Sequence, residues 1–461
     1  MAELHDLTAL EQGAAVRRGE VSPLQLLDHY LARADDVGAF VTVVPDLARA
    51  RAAALPREAA SPLHGVPTAI KDLHPTTGVR TTFGSAAYAD HVPELSDHLV
   101  RSVEDAGMVW FAKTSTPEFG SPCYTEPEGL PPAVTPWDRT RMAGGSSGGA
   151  AAAVAAGLVP VAPGSDGGGS IRIPASCCGL VGLKPSRGRI SGGPAYGDPV
   201  GLATAGPLAR DVRDAAALLD VLAGPRTGDP TWAPEPGSTF LSACDRAPGR
   251  LRVARFLEPV LADTEVHPEC VTAYEDASRL LESLGHEVED VPVPLPREAV
   301  AVFEVCWSVL TALSRAPEGR EGDLRPLTRW LAARGERVSG PEFGLAIGEM
   351  RRLAAAALMA LAPYDLVLTP TLASPPLPVG ALRDDEDPAA DFAAQTRFTP
   401  WTSAWNVTGM PAVSLPLHQT ADGLPVGVML AARPAEDQLL LSVAAQVEAA
   451  APWSQRRPPG W

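Results

Sequence analysis

The segment Gly144-Gly145-Ser146-Ser147-Gly148-Gly149 constrains this chain more than any other stretch. Glycine admits positive φ and close backbone approach that other residues resist, so four glycines around two serines mark a loop built to meet another group at short range. Ala150–Ala156 follows and reads as a helix. A Gly-rich loop before a helix can cradle phosphate, but the Walker pattern requires Lys after its last Gly, where this chain has Ala150. A mere turn would not call for two adjacent small hydroxyls. The segment is therefore a candidate active loop.

Around it, strand and helix patterns alternate. Ser22 followed by Pro23 starts a helix carrying Leu24, Leu27, Leu31 and Ala34 at helical spacing. Short β-prone runs are expected at 40–44, 66–71, 108–112, 251–256, 287–291, 365–369, 412–416 and 426–431, with helices at 96–106, 211–222, 267–284 and 435–450. This alternation predicts a mixed α/β architecture. From Arg297 to Leu361 the pattern turns to long helices carrying Phe303, Trp307, Trp330, Phe343 and Met350, broken by the charged segment 315–325. Pro/Gly-rich stretches at 225–237 and 374–388 read as surface loops. One contiguous unit over residues 1–461 is expected.

Charge narrows the partners. With 38 Lys and Arg against 55 Asp and Glu, the 461-residue chain has a net charge of −17, which disfavours nucleic acid and anionic membranes. No signal-like start and no run of about 18 apolar residues is found, so a soluble cytoplasmic protein is expected. The six cysteines (Cys123, Cys177, Cys178, Cys244, Cys270, Cys306) form no Cys-x-x-Cys pair and point to neither a disulfide framework nor a zinc site.

Two further features carry chemistry. In Asp166-Gly167-Gly168-Gly169-Ser170-Ile171-Arg172-Ile173-Pro174-Ala175, three glycines before a serine expose successive N–H groups of the kind that stabilise a tetrahedral oxyanion. Ser170 is then a plausible nucleophile, in a setting unlike the Gly-x-Ser-x-Gly elbow. A serine needs a base, and none of the nine histidines has an accompanying motif. Lys71, followed by Asp72, serves better if burial leaves its amine neutral. Taken alone, the same lysine would be a surface charge at a strand end.

Together these segments resemble the amidase signature family. The resemblance includes Val66-Pro67 leading to Lys71-Asp72, the 144–149 loop, and 166–175 continuing through Cys178-Gly179-Leu180-Val181-Gly182-Leu183-Lys184-Pro185. Pro136-Trp137-Asp138, Gly206-Pro207-Leu208-Ala209-Arg210, Thr369-Pro370-Thr371, Asn406-Val407-Thr408-Gly409-Met410-Pro411 and Asp422-Gly423-Leu424-Pro425-Val426-Gly427 extend it over nearly the whole chain. It implies a mixed, twisted β-sheet flanked by helices on both faces, a signature core near 60–220 and a helical substrate-region insertion near 295–362. It also implies Ser170 as nucleophile, Ser146 as the bridging serine after a cis peptide, and Lys71 as base. Backbone N–H groups of Gly167, Gly168, Gly169 and Ser170 would form the oxyanion hole, with Ser147, Asp166 and Arg172 in support and Arg172 pairing Asp166.

Gly167 stands where many members carry Thr or an aliphatic residue, which resembles the branch of 6-aminohexanoate-cyclic-dimer hydrolases, aryl amidases and urethanases. Ala150 and Thr135 stand where Ser and Asn are common, and the proline-rich stretch 121–136 is expected to shape a wall of the substrate entrance. The alternative is the A-type subunit of a glutamine-dependent amidotransferase acting on misacylated tRNA. That subunit usually has Gln where this chain has Ile173, whose apolar side chain fits uncharged substrates better. The expected activity is hydrolysis of C–N acyl bonds in small, neutral, partly hydrophobic amides, with carbamates and esters as further substrates. No cofactor or metal and a monomer or homodimer are expected. Ile173, Phe303, Cys306, Trp307, Trp330 and Trp401 are candidate pocket residues, although aromatic residues at helical spacing are more often core than pocket.

Overall fold

A computed structural model describes residues 3–34 and 36–461. Its eleven strands are β1 (Phe40–Val43), β2 (Pro67–Lys71), β3 (Val109–Thr114), β4 (Val161–Asp166), β5 (Val181–Lys184), β6 (Thr204–Ala209), β7 (Arg252–Arg255), β8 (Glu287–Asp290), β9 (Leu366–Pro370), β10 (Ala412–Gln419) and β11 (Pro425–Ala432). Eight form one mixed sheet in the order β4-β6-β5-β10-β11-β9-β7-β8, and β1-β3-β2 form a second, smaller sheet. Pairing across the large sheet is antiparallel from β4 to β9, then parallel through β7 to β8.

The large sheet is covered on both sides, and the period of two along its strands shows why. Val426, Val428 and Leu430 of β11 enter the cluster beneath the helices Val212–Leu222, Pro268–Ser283 and Asp437–Ala450. The alternate residues Met429 and Ala431 enter another cluster with Leu353, Trp401 and Trp405. A strand buried on both faces reads as an unbroken apolar run, which is how 426–431 reads. The fold thus has the expected α/β architecture, with helices on both faces.

Helix starts follow local chemistry. Ser22 Oγ accepts the Gln25 N–H, and Pro23 opens the helix Pro23–Leu31; Asp211 likewise caps Val212–Leu222. In the 295–362 region the helices Glu298–Leu313, Pro326–Gly335 and Gly340–Leu361 pack together. Cys306, Met350 and Ala354 join Leu202 and Val407 in the cluster beneath them. Among the described residues no helix is long and apolar enough to cross a membrane.

The large sheet is tight around β6, next to its β4 edge. A Cβ on Gly206 would fall 2.2 Å from the Leu183 carbonyl oxygen of β5, a backbone atom with no freedom to retreat. Gly206→Ala is therefore expected to cost about 1–3 kcal/mol of stability as an overpacked site, read as a lowered denaturant midpoint at unchanged m-value. An unchanged midpoint would contradict this packing.

Candidate active site

Lys71 is the last residue of β2, and all five residues of that strand are buried. Thr68 Oγ1 donates to the Val161 carbonyl at 2.9 Å, holding the small sheet against β4. The lysine therefore ends in the interior rather than at the surface. Its Nζ donates to Ser146 Oγ at 2.8 Å, Ser147 Oγ at 2.9 Å and Ser165 Oγ at 3.0 Å. Burial, by stripping hydration from the ammonium, lowers its pKa from 10.5 to about 7, while the Asp166 carboxylate pulls the other way. Burial thus favours the neutral amine at a much lower pH than for a solvated lysine.

The glycine-serine loop presents its two hydroxyls to that amine. The Gly145–Ser146 peptide is cis, as expected. Ser147 occupies the N-cap position of the helix Gly148–Ala155 without capping it. Its Oγ instead bonds Lys71, accepts from Ser165 N and donates to the Ser165 carbonyl, both at 3.2 Å. The helix that follows is wholly buried and almost side-chain-free, which lets it press against β3. A Cβ on Gly149 would lie 2.4 Å from Ser115 N and 2.6 Å from the Ala39 carbonyl oxygen, so close approach rather than backbone freedom demands glycine here.

Asp166, the last residue of β4, organises the second loop. Its Oδ1 accepts from Gly169 N (2.8 Å), Arg172 Nη2 (2.8 Å) and Asn406 Nδ2 (2.9 Å), and its Oδ2 from Arg172 Nε (2.9 Å) and Ile171 N (3.2 Å). Both side chains of this expected pair are fully buried. Desolvation alone would raise the carboxyl's pKa, but the charge and hydrogen bonds of Arg172 overcome it and hold the group at about 2. Arg172 also reaches the Thr402 carbonyl at 2.7 Å, and Thr402 Oγ1 donates to the Gly168 carbonyl at 2.6 Å. Ser147 N donates to the Ser170 carbonyl at 3.1 Å, fixing one serine loop against the other.

One expectation is corrected by this network. The Gly169 N–H is spent on Asp166 and is not offered to an oxyanion, whereas the amides of Gly167, Gly168 and Ser170 have no protein acceptor among the described residues.

Ser146, Ser165, Gly167 and Ser170 line one cavity of ≈ 180 Å³ with Leu73, Phe119, Gly120, Ser121, Asp198, Leu202, Ala203, Trp307 and Leu310. Of the stretch 121–136 expected to shape a wall, only Ser121 lines this cavity. Of the candidate pocket residues, Trp307 lines the cavity and Phe303 stacks on it at 5.4 Å between centroids. The other four do not line it. Ile173 packs behind the loops against Gly144 and Gly169, so it supplies no apolar wall to a substrate. Cys306 belongs to the helix-region core. Trp401 is fully buried and donates to the Glu258 carbonyl, and Trp330 packs on Phe392 and Arg334. Cys177 and Cys178 are buried and form no disulfide.

Sequence reasoning missed Ser165, Thr402 and, as a functional group, Asn406. Each acts through contacts that no local spacing encodes. No histidine lines the cavity. Among the described residues no cluster of three or more His, Cys, Asp or Glu is placed to hold a metal ion.

The family model described as Amidase matches residues 25–441. The 6-aminohexanoate-cyclic-dimer hydrolase of Paenarthrobacter ureafaciens is 38% identical over 484 residues, covering 98% of this chain and 96% of that protein. A solved structure of 6-aminohexanoate cyclic dimer hydrolase complexed with substrate superposes with a TM-score of 0.92 at 34% identity, covering 99% of each chain. A bacterial aryl acylamidase of the amidase signature family gives 0.87 at 26% identity, covering 98% of each. The chain belongs to the amidase signature family and is an enzyme that hydrolyses amides.

Proposed function

We propose that this amidase works through a serine acyl-enzyme on small, neutral, partly hydrophobic amides, and that aryl carbamates are also substrates. The observation that carries the reading is the 2.8 Å hydrogen bond between a buried Lys71 amine, lowered to about 7, and Ser146, which shares a cavity with Ser170. Ser170 Oγ attacks the acyl carbon while its proton passes through Ser146 to Lys71. The amides of Gly167, Gly168 and Ser170 receive the oxyanion. Ser146 returns the proton to the leaving nitrogen, and water resolves the acyl-enzyme by the reverse path. A carbamate carbonyl accepts the same attack, leaving a carbamoyl or carbonate group on Ser170.

The lining supports a neutral substrate. Its one charged side chain is Asp198, whose carboxylate accepts the amides of Val200, Gly201, Leu202 and Ala203. A substrate carboxylate would find no cation there, and Leu73, Phe119, Leu202, Trp307 and Leu310 offer apolar contact.

The test is hydrolysis of an aryl anilide, an aryl carbamate, an aryl ester and a linear amide dimer by the wild type and Ser170→Ala. Turnover of the anilide and the carbamate by the wild type, lost by about 10³-fold or more in the variant, is expected. Equal turnover by Ser170→Ala would refute the serine assignment. A folded wild type inert toward all four would refute the substrate class.

A further inference from the structure

Two glycines of the nucleophile loop are not accounted for by backbone shape. Gly169 has φ +129°, but Gly167 and Gly168 lie outside the positive-φ region. What a side chain would meet at these two is one pair of stacked rings. A Cβ on Gly167 would lie 3.6 Å from Trp307 Cζ3 and 3.7 Å from its Cη2; on Gly168 it would lie 3.8 Å from Trp307 Cη2 and 3.9 Å from Phe303 Cζ. A methyl fits in ordinary contact, and a side chain whose γ atom turns toward the ring would run into the indole. The edge of Trp307 thus occupies the room that the missing side chains leave. Two contacts fix the ring there: Nε1–H donates to Ser121 Oγ at 3.2 Å, and Phe303, one helical turn away, stacks on it with an interplanar angle of 19°.

Proton transfer decides which part of a substrate meets this wall. The leaving nitrogen takes its proton from Ser146 Oγ and so lies beside that hydroxyl. The wall there is Gly120 and Leu73, since a Cβ on Gly120 would be 3.1 Å from Ser146 Oγ and 2.5 Å from Leu73 Cδ1. The carbonyl oxygen points to the amides of Gly167, Gly168 and Ser170. The acyl substituent is then directed away from Ser146, past the face of the loop that Trp307 covers and that Leu202 and Ala203 border.

We propose that Trp307 is the specificity-determining residue for the acyl group, closing the acyl side of the cavity over Gly167 and Gly168 with its position set by Ser121. This rests on the serine acyl-transfer reading and adds which end of the substrate each wall sees. Trp307 limits the bulk of the acyl chain.

The test measures kcat/KM for 4-nitroanilides with acetyl, butyryl, hexanoyl and octanoyl groups, and for butyramides of anilines of increasing size. The proteins are wild type, Trp307→Ala, Trp307→Phe and Ser121→Ala, and reactive Ser170 is counted by fluorophosphonate labelling. Trp307→Ala is expected to shift the octanoyl-to-acetyl ratio at least about tenfold toward the longer chain, with Trp307→Phe and Ser121→Ala shifting it less in the same direction. The aniline series keeps its wild-type ranking. Gly167→Val is expected to impair the wild type far more than it impairs Trp307→Ala, because the added branch collides with the indole. A Trp307→Ala variant that labels normally yet lowers every acyl length by one common factor, or that reorders the aniline series instead, would overturn the proposal. A wild type that neither labels nor turns over would overturn the serine reading itself.

Discussion

Replacing Lys71 by Met is expected to lower kcat/KM by about 10²–10⁴-fold, the range that a positioned general base contributes. The loss should be accompanied by loss of the pH limb that Lys71 creates. With its pKa lowered to about 7 by burial, the neutral, proton-accepting amine grows tenfold per pH unit below 7 and saturates above it. The wild-type log kcat/KM should therefore rise with unit slope to about pH 7 and then level. Lys184 is a second buried lysine brought to about 7 by desolvation, but its Nζ donates to the Pro185 carbonyl and touches neither serine. Lys184→Met should keep the limb and Lys71→Met should abolish it; the reverse result would reassign the base. The stability linkage has its own sign. Between about 7 and 10.5 the unfolded chain holds the Lys71 proton and the folded chain does not, so stability gains a contribution that rises with pH across that window. The cost of burying this amine is complete below about 7 and gone above 10.5. Lys71→Met removes that slope.

Arg172→Met should produce the largest stability change. The guanidinium gives two hydrogen bonds to Asp166 in a site where both side chains are fully buried, so removing it strands a carboxylate without its main counter-charge. Breaking such a pair costs about 3–5 kcal/mol. The same arginine ties the Thr402 carbonyl and Asn406 Oδ1 to the nucleophile loop, so turnover should fall even where the variant remains folded. A double variant, Asp166→Asn with Arg172→Met, removes the stranded charge and should regain part of the stability in denaturant titration. It should not regain activity, because the loop amides lose their common anchor. A single variant as stable as the wild type would show that the pair does not hold the loop.

Two of the three chemical groups were legible for a physical reason: three glycines precede Ser170 and glycines flank the Ser146-Ser147 pair, patterns that a special backbone requires. Lys71 was not, because a lysine closing an ordinary strand reads alone as a surface charge, and the resemblance is what joined it to the serines. What joins them is not local. The Lys71–Ser146 bond spans 75 positions, and the bonds from Asn406 to Asp166 and from Thr402 to Gly168 span 240 and 234, so Ser165, Thr402 and Asn406 carry no spacing signal. β4, β5 and β6 escaped notice: Pro163 and Gly164 interrupt β4 beside an alanine-rich run, Gly206 and Pro207 interrupt β6, and β5 is only four residues long. Among the aromatics, periodicity showed which side chains turn inward but not what they meet. Trp307 faces Gly167 and Gly168, whereas Trp401 finds a backbone carbonyl in the core and Trp330 a neighbouring helix. The oxyanion hole was overread at Gly169 for a related reason: three consecutive glycines do not reveal that one N–H is claimed by the carboxylate three residues earlier.

The central claim, a serine nucleophile driven by a neutral buried lysine, is tested most directly by mapping the fluorophosphonate adduct by mass spectrometry and following its rate with pH. One adduct per chain on the peptide holding Ser170, formed at a rate that rises through about pH 7 and collapses in Lys71→Met, is the predicted result. An adduct on another residue, or no adduct from an enzyme that still hydrolyses amides, would contradict it.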